Sequence, residues 1–201
     1  MLQYYHPTPL EQWIETLWTK AGIASASQLT IEEVAGRLNV WVHYLNYSSR
    51  ALEWMGLRSI LIDRRLSRAE QWEDFLHELC HLLRHAGNQT VMPLPFLEHQ
   101  EAEAKRFVLY ASMPYYLIKE LKLPDRQGDA IELLSSRFGV TYTLASQRLE
   151  QFQRRAFEAI LWEEAGKAER ILLRRKAKTE AAKSPSAVAE REAGEALAGN
   201  P

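Results

Sequence analysis

The chain has 201 residues, of which 46% are hydrophobic and 25% charged, a composition typical of a globular domain with its own core. The net charge of −1 gives no indication of a nucleic-acid binder. Cys80 is the one cysteine, which excludes an internal disulfide and a cysteine-rich metal site. The first residues lack the pattern of a signal peptide, and no apolar run reaches about 18 residues. We therefore expect a cytoplasmic protein without a membrane span.

Two short helices are predicted near the start of the chain. Residues 8–21 begin with Thr8 and Glu11 at the spacing of a capping box, and a proline suits the first helical position. Residues 30–38 begin with the same threonine-to-glutamate spacing. Both segments are therefore expected to be capped helices.

The composition then changes to β-branched and aromatic residues. Three segments have this character, at 40–47, 51–55 and 57–63, and polar residues or a glycine separate them. The pattern predicts two or three strands of a small antiparallel sheet.

A buried helix is predicted from 67 to 84. Ser67 and Glu70 form another capping-box pattern, and large apolar side chains cover a wide face of this segment. Residues 87–97 contain a glycine and two prolines, which favour a loop. A further helix is expected over 98–111.

The C-terminal part is predicted to be helical. Residues 129–153 have the pattern of a helix, a tight turn at Gly139 and a second helix, which continues to about residue 178. Residues 179–201 are rich in Ala, Glu, Lys, Ser and Gly and lack aromatic residues, so we expect a disordered tail.

The sequence HELCH at 77–81 carries the strongest chemical signal. His77 and His81 are four residues apart, so on a helix both imidazoles lie on one face and can bind one metal ion. Glu78 lies beside that ion and can take a proton from a water molecule that the ion activates. The pattern predicts a zinc site of catalytic type, with one Zn²⁺ per chain.

A His₂Glu zinc site needs a glutamate from another segment. The candidates are Glu98, Glu101 and Glu103, all on the next predicted helix. Glu98 and Glu103 also fit a solvated acidic helix start. We favour Glu101, because it shares one helix face with Ala104, and a small residue lets two helices approach closely. Glu103 points about 160° away from Glu101, so the two cannot bind the same ion.

These motifs resemble the ImmA/IrrE metallopeptidases of bacteria and their mobile elements. The family pattern combines H-E-L-x-H, often followed by L-L-x-H, with a second helix that carries E-x-x-A-x-x-F and ends in M-P. This sequence matches with FLHELCHLLRH at 75–85 and with Glu101, Ala104, Phe107, Met113 and Pro114. The resemblance covers about residues 25–155. Cys80 and Val108 depart from it, where glycine and alanine are usual.

The resemblance implies an α+β fold in which a small antiparallel sheet packs on a zincin-like helical core. Residues 1–125 would form this metallopeptidase core, residues 126–178 a helix-turn-helix-like subdomain, and residues 179–201 the tail. It also implies that His77, His81 and Glu101 bind zinc and that Glu78 is the catalytic base.

The function implied by the resemblance is site-specific cleavage of a helix-turn-helix repressor, which relieves repression. Its activity would be latent until stress, or limited to one partner protein. A second donor to the oxyanion is expected, and Tyr110, Tyr115 and His99 are the candidates.

The alternative function is a DNA-associated regulator with a non-catalytic zinc site. Residues 129–153 could contact DNA, but their second helix offers only Arg148 as a basic residue before position 154, so packing or substrate docking is favoured. The basic stretch 167–183 could touch nucleic acid, although a solvated helix end is more usual. His85 lies one turn beyond His81 and could support the site, but it is interpreted as a helix C-terminal cation or packing residue. Cys80 is interpreted as a small buried side chain.

Overall fold

A computed structural model of the chain describes residues 4–85 and 93–182, without the side chains of 178–182. The fold is α+β, as predicted, and mostly helical. Within the described residues, no helix combines the length and apolar character needed to cross a membrane. In chain order the elements are α1 (Pro9–Lys20), a 3₁₀ turn (Ala26–Gln28), α2 (Ile31–Leu38), β1 (Trp41–Leu45), β2 (Arg50–Trp54), β3 (Leu57–Asp63), α3 (Arg68–Arg84), α4 (Leu94–Ser112), α5 (Tyr115–Ile118), α6 (Gln127–Phe138) and α7 (Tyr142–Ala182).

Helix starts follow the predicted capping patterns. Thr8 and Ser67 cap α1 and α3 with reciprocal capping boxes. At α2, the Thr30 side chain accepts the expected hydrogen bond from the Glu33 backbone N–H. The second hydrogen bond of a capping box, from the Thr30 backbone N–H to the Glu33 side chain, is not formed. The Glu33 carboxylate instead accepts a hydrogen bond from Arg37, one helical turn further along.

The sheet is mixed, which corrects the prediction of an antiparallel sheet. The strand order is β1-β3-β2, with β3 antiparallel to β2 and parallel to β1. A two-residue turn with positive φ at Met55 (50°) and Gly56 (79°) joins β2 to β3, which is the geometry of a type I′ hairpin. Strand β3, which carries the buried residues Ile60 and Ile62, occupies the centre of the sheet. Strand β2 pairs with one edge of β3, and β1 pairs with the opposite edge.

Helices α3 and α4 pack against each other and bring the functional segments together. Phe75, Leu76 and Leu79 of α3 are fully buried, as are Ala104 and Phe107 of α4. The exposure of these five side chains is 0%, so both helices bury apolar side chains in the core.

Helix α4 begins at Leu94, four residues earlier than predicted, so residues 94–97 are helical rather than part of a loop. Pro95 lies in the first turn, where a missing backbone N–H costs no hydrogen bond. Residues 87–92 of the predicted loop lie outside the described residues, and Pro93 is the N-cap residue of α4.

The C-terminal part contains the predicted helix, turn and helix. Gly139 adopts φ 65° between α6 and α7, a left-handed conformation that suits glycine. Residues 179–182, predicted to be disordered, belong to α7, and 183–201 lie outside the described residues. One apolar core contains residues on both sides of position 125, such as Phe107 and Leu134. The domain division at that position stays a prediction.

Candidate metal centre

The two histidines of the HELCH sequence point to one place. Helix α3 puts His77 and His81 one turn apart, and their Nε2 atoms are 3.1 Å from each other. Neighbouring residues of the same helix, such as Leu76 and Leu79, are buried in the core. The apolar packing of α3 thus fixes the direction in which both imidazoles project.

Glu101 of α4 completes the group. Its Oε2 lies 3.3 Å from His77 Nε2, and its Oε1 lies 3.4 Å from His81 Nε2. Zinc with bond lengths near 2.05 Å and tetrahedral angles separates its ligand atoms by about 3.3 Å. Each of the three contacts is close to that separation, although the two glutamate contacts use different carboxylate oxygens. One ligand atom from each residue lies within 4.8 Å of the others, so the group can hold a metal ion.

Glu78 lies next to the first histidine and contacts the sheet. Its Oε2 accepts a hydrogen bond of 2.7 Å from the backbone N–H of Ala51 in β2. Burial raises the pKa of the Glu78 carboxyl, while His77 and the Ala51 amide act in the opposite direction. A carboxylate with a raised pKa is a stronger base, as proton transfer from water requires.

His85 and Glu103 extend the centre beyond the predicted residues. His85 Nδ1 lies 2.9 Å from His81 Nδ1, and His85 Nε2 lies 3.3 Å from Glu103 Oε2. Arg84 donates to Glu103 Oε1 at 2.6 Å. The His85 side chain is only 5% exposed. His85 therefore contacts His81 from one helical turn away, which favours the supporting role that the sequence analysis placed second to a helix-end cation or packing residue.

These contacts define one consistent set of tautomers. If His81 uses the lone pair of Nε2 to bind metal, its proton is on Nδ1 and points to His85 Nδ1. The proton of His85 is then on Nε2, where it is donated to Glu103. Burial and the neighbouring His77 lower the pKa of His81 to about 4, although Glu101 acts in the opposite direction. His81 is thus neutral near pH 7, as a metal ligand must be.

The remaining candidates lie elsewhere or have other roles. Glu98 is exposed, and so is His99, on the first turns of α4. Tyr110 is buried in the core, and its hydroxyl accepts a hydrogen bond from the side-chain amide of Gln151. Tyr115 packs its ring on Tyr5 and Phe152. Cys80 is fully buried, as predicted, and burial raises the pKa of its thiol to about 12.

A second charged cluster involves Arg148, the basic residue that the second helix of the helix-turn-helix-like segment offers before position 154. Its side chain is fully buried, and its Nη2 donates to Glu11 Oε1 at 2.8 Å. The guanidinium also donates to the Met113 carbonyl and to the Gln151 amide oxygen. The Tyr5 hydroxyl donates to the same glutamate at 2.6 Å. Arg148 is therefore a structural residue that attaches α7 to α1, and in this position it is not accessible to DNA.

Comparison with known proteins agrees with this geometry. The family model of the peptidase family M78, described as an IrrE N-terminal-like domain, matches residues 35–150. The match covers more than half of the chain and includes every residue of the metal centre. The chain belongs to the M78 peptidase family. Membership confirms the resemblance to ImmA/IrrE proteins and supports a function of metallopeptidase type.

Two relatives from Bacillus subtilis (strain 168) extend the likeness. The phage-like element PBSX protein XkdA is 36% identical over 146 residues, which are 73% of this chain and 74% of the relative. The uncharacterized protein YqaB is 33% identical over 151 residues, covering 75% and 88% of the two chains. The likeness to this chain thus spans most of each relative.

Proposed function

We propose that this chain is a zinc-dependent endopeptidase that acts in the cytoplasm and cleaves one helix-turn-helix repressor at a specific site. The observation that carries the proposal is the approach of His77, His81 and Glu101 to within 3.4 Å of one another, with Glu78 adjacent. Three protein ligands would leave room for water or substrate on a bound zinc ion, as in catalytic rather than structural zinc sites.

Zinc in this site would lower the pKa of a water molecule and polarise the carbonyl of the scissile bond. Glu78 takes the proton from the attacking water and delivers it to the leaving amine. The Ala51 amide holds Oε2 of Glu78, so Oε1 is the oxygen available for the proton. His81, fixed by His85 and Glu103, keeps its ring orientation throughout.

The edge of β2 is a suitable docking site for an extended substrate segment. The Ala51 N–H points to Glu78 rather than to β3, so this edge of β2 faces the catalytic helix. Alternation along an antiparallel strand places the N–H and C=O of Glu53 on the same edge. A substrate strand that pairs with these groups would pass close to Glu78.

The repressor substrate is supported by family membership and by the likeness to XkdA, which the phage-like element PBSX encodes. Burial of Arg148 further favours a protein over DNA as the partner of the helix-turn-helix-like segment. A small peptidase avoids damage to other proteins by recognising the surface of one partner.

The test is incubation of zinc-loaded protein with the product of a neighbouring gene that has a helix-turn-helix repressor sequence, with Glu78→Gln as the matched inactive control. We expect one discrete cut, located by mass spectrometry, and little turnover of unfolded casein. Rapid digestion of casein would contradict the specificity. The DNA-associated alternative would be supported if the parent protein never cuts the repressor and the Glu78→Gln variant binds operator DNA tightly.

A further inference from the structure

The distal segment of α7, residues 157–177, exposes an unusual number of large apolar side chains. Trp162 is 79% exposed, and Leu172 and Leu173 are each 58% exposed. Scattered apolar residues are common on protein surfaces, but a cluster along one helix indicates an interaction surface. The other members are Phe157, Ile160, Leu161 and Ile171.

A continuous stripe runs along this segment. Leu161, Ala165, Ala168 and Leu172 are separated by four, three and four residues, which is the a/d spacing of a coiled coil. All four side chains are exposed. Small alanines at the centre would let a second helix approach closely, and leucines on either side supply apolar area.

The charges of the distal segment change sign along the helix. Residues 157–166 contain three glutamates and no basic residue, and residues 167–177 contain five basic residues and one glutamate. A second copy in antiparallel orientation would therefore place each acidic half against a basic half. Parallel copies would instead place like charges side by side, which is unfavourable.

The antiparallel alignment also matches the stripe residue by residue. When Leu161 faces Leu172 of a second copy, Ala165 faces Ala168. Continuing the heptads outward places Glu158 opposite Arg175. The stripe is thus self-complementary under a two-fold axis, as an isologous dimer interface requires.

We propose that the distal segment of α7 is a homodimerisation site, in which two copies of this chain form an antiparallel coiled coil centred between Gly166 and Lys167. The interface lies outside the matched M78 region, residues 35–150, and does not depend on zinc or catalysis. Dimerisation would carry two M78 domains at opposite ends of one helical pair.

The first experiment measures the mass of the full chain by sedimentation equilibrium over a range of concentrations. We expect a reversible dimer. Leu172→Glu, within the stripe, should weaken dimerisation more than tenfold, because it buries two uncompensated charges per dimer. Leu173→Glu is the matched control, since Leu173 is equally exposed but lies outside the stripe. Circular dichroism checks that both variants keep their helix content.

The second experiment tests the charge pair and the orientation. Glu158→Arg and Arg175→Glu should each weaken dimerisation about tenfold, and the double variant should restore it, because the pair is re-formed with reversed sign. A mixture of Ala165→Cys and Ala168→Cys chains should form a disulfide-linked heterodimer on oxidation. Ala165→Cys alone should not, because residue 165 faces residue 168.

Three outcomes would overturn the proposal. The wild-type chain could remain monomeric at every concentration, or Leu172→Glu and Leu173→Glu could have equal effects. A monomer that binds anionic phospholipid vesicles or DNA through the distal segment would show that the exposed face has a different partner.

Discussion

The two polar clusters of this protein differ in how their groups are satisfied. In the cluster of Glu11 and Arg148, a carboxylate meets a guanidinium, so donors and acceptors match. In the centre of His77, His81 and Glu101, two imidazole nitrogens and a carboxylate converge. Neutral imidazoles direct acceptor lone pairs at the same point as the carboxylate, and a cation stabilises that arrangement. The paired charges of Glu11 and Arg148 therefore stabilise the fold, whereas the converging acceptors of the histidine–glutamate group favour binding of a metal ion.

The largest expected effect separates chemistry from metal binding. Glu78→Gln should lower the rate of repressor cleavage by about 10²–10⁴-fold, because the amide does not accept a proton from water. Zinc content, measured by elemental analysis, and the melting temperature should stay close to the parent values. Cleavage at the parent rate would rule out Glu78 as the base.

The cluster of Glu11 and Arg148 should instead contribute to the free energy of unfolding. Arg148→Ala should lower the free energy of unfolding by about 3–5 kcal/mol, because it leaves the Glu11 carboxylate buried without its cation. Arg137→Ala, at an exposed position of α6, is the control and should have little effect. Denaturant unfolding gives both values, and an Arg148 variant as stable as the parent would mean that this pair does not hold α7 to α1.

The converging acceptors should control zinc affinity. Glu101→Ala should weaken zinc binding about 10–1000-fold, because it removes the one charged ligand. Glu98→Ala, on the same helix but exposed, is the control. Competition with a chelator measures both affinities. Full zinc retention in Glu101→Ala, together with loss in Glu98→Ala or Glu103→Ala, would show that the ligand is assigned wrongly.

A smaller effect is expected from the support around His81. His85→Ala should weaken zinc binding about tenfold, since His81 loses the contact that fixes its tautomer. His85→Gln should recover part of the affinity, because an amide oxygen can accept the proton of His81 Nδ1. His99→Ala, exposed on α4, serves as the control in the same chelator titration. Equal affinities of His85→Ala and the parent would remove His85 from the centre.

The smallest effect is a pH dependence of stability that comes from Glu11. Burial alone would raise the pKa of this carboxyl, but Arg148, the Thr8 amide and the Tyr5 hydroxyl outweigh burial and lower it. A lowered pKa in the folded state stabilises the protein above the ordinary carboxyl pKa of about 4.3, and this stability is lost as the pH falls through the folded value.

Denaturant unfolding between about pH 6 and pH 3 tests this dependence, with Glu11→Gln as the comparison. The parent should lose more stability than the variant as the pH falls, because only the parent has this carboxylate to protonate. Parallel curves for the two proteins would contradict the role of Glu11.

Local patterns in the sequence were enough to predict most helices and two of the three candidate metal ligands. Thr8 and Ser67 mark the starts of α1 and α3, since a side-chain cap needs only the next three residues. His77 and His81 converge because helix periodicity brings residues four apart onto one face. Glu101 was predicted as their partner by spacing and resemblance, and the structure places it there.

Only the tertiary structure decided features that join distant segments. The parallel pairing of β1 with β3 follows from the central, buried position of β3, which strand propensity does not encode. Glu103 joins His85 because α4 packs on α3. Arg148 is buried because Glu11, 137 positions away in sequence, provides its counter-charge. Such contacts depend on which elements meet in the folded core, so the residue types alone could not predict them.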